Sequence, residues 1–132
     1  MSGIEGIIYL ILIACLLPYI FAILAKVLGG FKAEDNQNPR EFLANTTGLA
    51  ARANAAQQNS FESLPLFIAS VLMAEYLVVA QDIIMMFGIA YIVLRVVYGI
   101  CYLANWSTLR SVVWALSMAC PILLLITIIR LV

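Results

Sequence analysis

The sequence predicts an all-α integral membrane protein, a four-helix bundle formed by a single domain over residues 1–132. Two observations about the chain predict this. Hydrophobic residues make up 65% of it and charged residues 11%, whereas soluble domains run at about 45–50% and about 25%. Apolar stretches recur over residues 6–28, 60–80, 83–104 and 109–129, and each has roughly the 20 residues that cross a bilayer core. The net charge is zero, so no basic face suggests nucleic acid. Histidine is absent, which removes the commonest metal ligand and general base.

The first span is the run Gly6 to Ala25, bracketed by Glu5 and Lys26. No Lys or Arg precedes it, and it is longer than a signal-peptide core, so it reads as a retained helix. Pro18 is expected to bend it. Gly29 and Gly30 end it. FKAEDNQNPRE, from Phe31 to Glu41, is the only long polar loop, with mixed charge. One long helix is expected from Phe42 to about Ala80. Its polar first part contains Gly48 and a series of alanines that let neighbours approach, and its apolar second part follows a kink at Pro65. A turn at Gln81–Asp82 leads into the third span, and a turn over residues 105–108 leads into the fourth, which Pro121 interrupts. Cys15, Cys101 and Cys120 lie in apolar runs at spacings that match no metal site, so they read as packing residues.

Orientation follows from the loop charges. The first connection carries Lys26, Lys32, Arg40 and Arg52, the turn near residue 81 carries no Lys or Arg, and Arg110 follows the third connection. The first and third connections are therefore expected in the cytoplasm, with both termini on the other side. Arg130 alone argues the other way. In a bacterium the location would be the inner membrane.

A polar island interrupts this apolar chain. Arg52, Asn59 and Glu62 lie at spacings of seven and three, which puts them on one broad helix face. Arg95, Tyr98 and Tyr102 repeat that pattern in the third span. Counted from the turn at residue 81, Glu62 lies about 27–30 Å inward, Arg95 and Tyr98 about 20–24 Å, and Asn59 and Tyr102 about 30–35 Å. Arg110 begins the fourth span at the same end. Charged groups at such depth face other helices or a wet cavity. Arginines bind carboxylates through paired hydrogen bonds, so the set suits a small ligand with more negative than positive charge. Glu62 could take an amine, or pair with Arg95 to hold helices together. The plainer readings are membrane-edge charges for Arg52, Glu62 and Arg110, and interfacial aromatics for Tyr98, Tyr102, Trp106 and Trp114.

Arg52-Ala53 followed by Asn59-x-x-Glu62-x-x-Pro65-x-Phe67 resembles the second-helix signature of the MAPEG family, the membrane-associated proteins in eicosanoid and glutathione metabolism. Arg95-x-x-Tyr98-x-x-x-Tyr102-Leu103, then Leu109-Arg110-Ser111, resembles its third- and fourth-helix pattern. The likeness covers nearly the whole chain and is nearest to the compact bacterial members. It implies a homotrimer of four-helix subunits with glutathione, as co-substrate, held between subunits near the cytoplasmic face. By that resemblance Asn59 and Glu62 hold the peptide, Glu62 takes its amino group, and Tyr102 contacts it. Arg110 favours the thiolate and Ser111 donates a hydrogen bond. The expected ligand-binding residues are thus Arg52, Asn59, Glu62, Arg95, Tyr98 and Tyr102, and the expected catalytic pair is Arg110 and Ser111, with no metal. The chain departs from well-studied eukaryotic members at Ala55 and Gln57, where they carry arginine and histidine. It departs again at Gln58, often an arginine, and at Trp114, a tyrosine in some members.

The leading expectation is a membrane glutathione transferase or peroxidase acting on small lipophilic electrophiles that arrive from the bilayer. Its main rival is a non-catalytic trimer binding lipids or other hydrophobic ligands, since the family contains a lipid-presenting protein. A four-span multidrug transporter would need an acidic residue deep in the first span, and Gly6 to Ala25 has none.

Overall fold

The computed structural model describes residues 3–132. Its long helices are α1 (Gly3–Gly29), α3 (Gly48–Tyr76), α4 (Gln81–Leu103) and α5 (Ser107–Leu131), with a short 3-10 turn (Ala33–Gln37) and a six-residue α2 (Pro39–Ala44) between α1 and α3. Three of them, α1, α4 and α5, are long and apolar enough to cross a membrane. The first half of α3 carries Arg52, Asn54, Gln57, Gln58, Asn59 and Glu62, and that polarity lowers its mean hydropathy. The span expected over residues 60–80 falls on the apolar second half of α3, which stops at Tyr76.

α1 buries Ile7, Leu10, Ala14, Pro18, Phe21 and Ala25. Their spacing of three or four residues makes one stripe. Ile8, Leu12, Ile20 and Ile23, on its other faces, are about half exposed, as suits a helix bathed in lipid rather than water. The helix ends where Gly30 takes a φ of 74°. There the Phe31 N–H donates to Lys26 O at 3.0 Å and the Gly30 N–H to Val27 O at 3.3 Å, a left-handed stop that glycine permits without steric cost.

The polar loop is more ordered than its composition suggests. Asn38 accepts from the Glu41 N–H at 3.2 Å and Pro39 opens α2, a side-chain cap followed by a residue whose missing N–H costs the first turn nothing. The single helix expected from Phe42 to Ala80 is in fact two helices, α2 and α3. The Thr46 hydroxyl donates to Leu43 O at 2.6 Å, and the Asn54 side chain reaches the same carbonyl at 3.5 Å. Side chains thus occupy an acceptor that a continuing helix would have used.

α3 buries Ala50, Ala53, Ala56, Ser60, Ser63, Ser70 and Ala74, along with Phe67 and Val71, and this mostly small stripe admits α1 closely. Pro65 sits inside the helix without ending it. The turn into α4 comes earlier than expected, over residues 77–80, with Val78 at φ 58° and the Val79 N–H bonded to Ala74 O at 2.9 Å. The turn into α5 covers residues 104–106, with Asn105 at φ 61°. In α4, Gly88 and Gly99 face α1 so closely that an added Cβ would stand 2.5 Å from Leu10 and 2.0 Å from Phe21.

Among the described residues the interior holds three apolar clusters, of which a small one joins Ala25, Leu43 and Ala53 and two flank Arg95. One gathers Leu10, Phe67, Tyr91, Ile84 and Leu124. The other, nearer the α2 end, gathers Phe21, Ala56, Tyr98, Cys101 and Val113. Arg95 lies on α4 between Tyr91 and Tyr98, one turn from each, at the seam of the two clusters.

Candidate functional site

Arg95 is 1% exposed. A guanidinium so deep is costly unless its donors are satisfied, and residues from two neighbouring helices satisfy most of them. One terminal nitrogen donates to Asn59 Oδ1 at 2.7 Å and to the Ser60 hydroxyl at 3.3 Å, both on α3. The other donates to the Ser117 hydroxyl on α5 at 3.2 Å. Its Nε is closed off from solvent without a partner. Every one of these acceptors is neutral, so the alternative in which Arg95 pairs with Glu62 is replaced by a clamp of amide and hydroxyls. Arg95 therefore ties α3, α4 and α5 together.

From Arg95 a row of stacked groups runs toward the α2 end of the molecule. The Arg95 guanidinium carbon lies 4.1 Å from the Tyr98 ring centroid. Tyr98 meets Tyr102 edge to face at 5.7 Å. Arg110, at the start of α5, covers Tyr102 at 4.5 Å. The spacings of three and four along α4 set this row, because they put Arg95, Tyr98 and Tyr102 on one face. Each cation–ring contact is worth about 0.5–2 kcal/mol, more where water is excluded. Tyr98 is buried, while Tyr102 and Arg110 are half-buried. Arg110 rests on a π-face, which leaves its N–H donors free for an anion.

The structure thus brings Asn59, Arg95, Tyr98, Tyr102 and Arg110 into one continuous row. Of the other three expected residues, Arg52 and Ser111 are turned to backbone carbonyls, and Glu62 stands at the margin of the row, within electrostatic reach of Tyr98. Arg52 turns its Nε to the carbonyl of Leu103 at 3.4 Å, where a cation complements the C-terminal end of α4. Ser111 donates to Ser107 O at 3.1 Å, within its own helix. Glu62 is exposed on a neighbouring face of α3, at the edge of a groove that α2 closes with Arg40 and Leu43.

Sequence reasoning missed Ser60, Ser117 and the pair Ser63–Tyr91, whose hydroxyls lie 2.8 Å apart beside a Tyr91–Phe67 stack at 4.1 Å. Lone serines in apolar helices read as small spacers, although Ser60, Ser63 and Phe67 do share the helical spacing that marks the buried face of α3.

The row combines an arginine with unclaimed donors, two phenols and a fixed inner arginine at one end of an apolar protein, a set of groups able to receive an anion. No curated protein and no solved structure matches the chain. The model of the MAPEG family matches residues 6–130. With three apolar helices of membrane-crossing length and a match over nearly its whole length, this integral membrane protein belongs to the MAPEG family.

Proposed function

We propose that the protein binds glutathione or a similar thiol and transfers it to lipophilic electrophiles, as a homotrimer with the site at the subunit interface near the cytoplasmic face. The observation that carries this reading is the half-buried Arg110 guanidinium, stacked on Tyr102 with its donors unclaimed. A thiol with a pKa near 8.5 is a poor nucleophile at neutral pH until a cation stabilises its anion. Arg110 offers that cation. The thiol proton leaves to water, the sulfur lone pair forms a bond to the electrophilic carbon, and the carbon's leaving group or π-electrons accept the displaced pair. Lys26, Lys32, Arg40, Arg52 and Arg110 gather at the α2 end of the molecule, which favours that end in the cytoplasm. Glu62, exposed on a helix whose other half is apolar, suits a face that a second copy covers.

The test is turnover of a generic aryl halide by the detergent-solubilised protein with glutathione, compared with Arg110→Ala. Loss of turnover in the variant supports the reading. A wild type that neither binds glutathione nor melts higher at millimolar glutathione refutes it.

A second reading has its own support. Ser111 spends its hydroxyl on the backbone, so Arg110 stands without the expected partner donor, as in a non-catalytic protein that binds lipids or other hydrophobic ligands. Co-purified lipid with no thiol turnover would favour it.

A further inference from the structure

Where α1 ends, Ile23, Lys26, Val27, Gly30 and Phe31 line an open cavity of about 490 Å³. Lys26 is the one charged residue of that wall, and its Nζ lies 5.0 Å from the Phe31 ring centroid. Phe31 is in turn held edge to face by Phe42 of α2, at 5.1 Å, so the ring fixes where the ammonium stands. Among the described residues no carboxylate pairs with Lys26. Its three N–H donors therefore keep room for an acceptor. The acidic groups of the loop, Glu34 and Asp35, line a separate cavity beside α2. The carbonyls of Lys26 and Val27, whose negative ends would repel an anion, already accept from the N–H groups of Phe31 and Gly30.

The cavity continues into an apolar stripe. Val27, Ile23, Ile20 and Leu16 follow one another at spacings of four, three and four, which keeps them on one helix face. Each is half exposed or more. From Lys26 to Leu16 the helix advances about 15 Å, half the thickness of a bilayer core and so the reach of one acyl chain. A second helix covers such a stripe poorly, because helices in membranes pack through small residues, and in this chain α3 carries those.

We propose that this face of α1 seats an anionic phospholipid. Lys26 donates to the headgroup phosphate, Phe31 holds the ammonium in place, and an acyl chain lies along Ile23, Ile20 and Leu16. The wall offers no carboxylate to a headgroup ammonium, so a head of net negative charge is preferred to a zwitterionic one. The seat shares no residue with the row of Arg95, Tyr98, Tyr102 and Arg110, and it does not depend on what that row binds.

The test is native mass spectrometry of the full chain released from nanodiscs of mixed phosphatidylglycerol and phosphatidylcholine, with thermal melts in each lipid alone. The wild type is expected to retain phosphatidylglycerol in preference to phosphatidylcholine and to melt higher in it. Lys26→Gln should lower that preference about fivefold, and Lys26→Arg should keep it. Lys32→Gln removes the same charge from an exposed residue outside the cavity wall. It should leave the preference unchanged, which separates a seat from the general attraction of basic residues to an anionic surface. Soluble glycerophosphate at millimolar levels should not displace the lipid, because it lacks the chain that the stripe receives. Equal loss in Lys26→Gln and Lys32→Gln, displacement by glycerophosphate, or no preference in the wild type overturns the proposal. Retention unchanged in Lys26→Gln, with a lighter assembly in Ile23→Trp, gives the face to a second copy of the chain and overturns it as well.

Discussion

Asn59 Oδ1 accepts from the Arg95 guanidinium at 2.7 Å, the shortest of three bonds by which neutral groups hold a buried cation. Removing the acceptor leaves the charge in place with fewer partners. Asn59→Ala is expected to destabilise the protein by about 1–3 kcal/mol. The double variant Asn59→Ala/Arg95→Met should lose less than Asn59→Ala alone, because a long apolar side chain needs no partner in the same space. Unfolding in a graded detergent series reads both. A double variant weaker than the single would mean that the clamp, not the desolvated charge, dominates.

Gly99 sits against Phe21 with no room for a methyl group. Gly99→Ala gains some helix propensity but forces the phenyl ring aside, for a net cost of about 1–2 kcal/mol. Pairing it with Phe21→Leu should return most of the stability. A thermal melt of the three variants checks the compensation.

Val78 holds φ at 58° in the turn after α3 and is 87% exposed. A β-branched residue in the left-handed region carries strain of about 1–2 kcal/mol. Val78→Gly is expected to raise stability by about 0.5–1 kcal/mol after the entropic cost of glycine. A lowered melting temperature would show that the side chain contributes packing or membrane contacts that outweigh the strain.

If Arg110 stabilises the thiolate, its loss changes more than the rate. A cation beside a thiol lowers the thiol pKa, so removing it raises that pKa. The pH at which turnover reaches half its alkaline plateau should therefore move upward in Arg110→Ala. Arg110→Lys should move it less, while losing the planar stack on Tyr102. Tyr102→Phe keeps a ring under the guanidinium and should leave the profile nearly unchanged. An unshifted profile in Arg110→Ala would place the thiolate elsewhere.

Much of this molecule could be read from its sequence because lipid imposes simple rules. Gly6 to Ala25, the run after Ile83 and the run after Leu109 are too apolar and too long to be anything but membrane-length helices, and α1, α4 and α5 lie there. The row from Arg95 to Tyr102 was also visible, since spacings of three and seven fix a shared face. The break between α2 and α3 was not anticipated, although Asn45-Thr46-Thr47-Gly48 carries a turn signal. The surrounding helix formers hid it. Nor could spacing show that Glu62 turns aside from Asn59. The 60° between them is small on a helical wheel, yet Asn59 meets Arg95 of α4 while Glu62 borders the groove beside α2, and only the folded chain shows where α2 lies.

The clamp on Arg95 also bears on how the chain is made. Synthesis delivers α3 first, then α4 with its cation, and Ser117 on α5 last. The polar half of α3 enters hydrocarbon poorly by itself, and the guanidinium of α4 enters poorly by itself as well. Each is made tolerable by the other, so α3 and α4 should leave the translocon as a hairpin, not one at a time. Stalling elongation just after Leu103 would then keep α4 within the ribosome and leave the polar half of α3 without the partner that carries it into the bilayer.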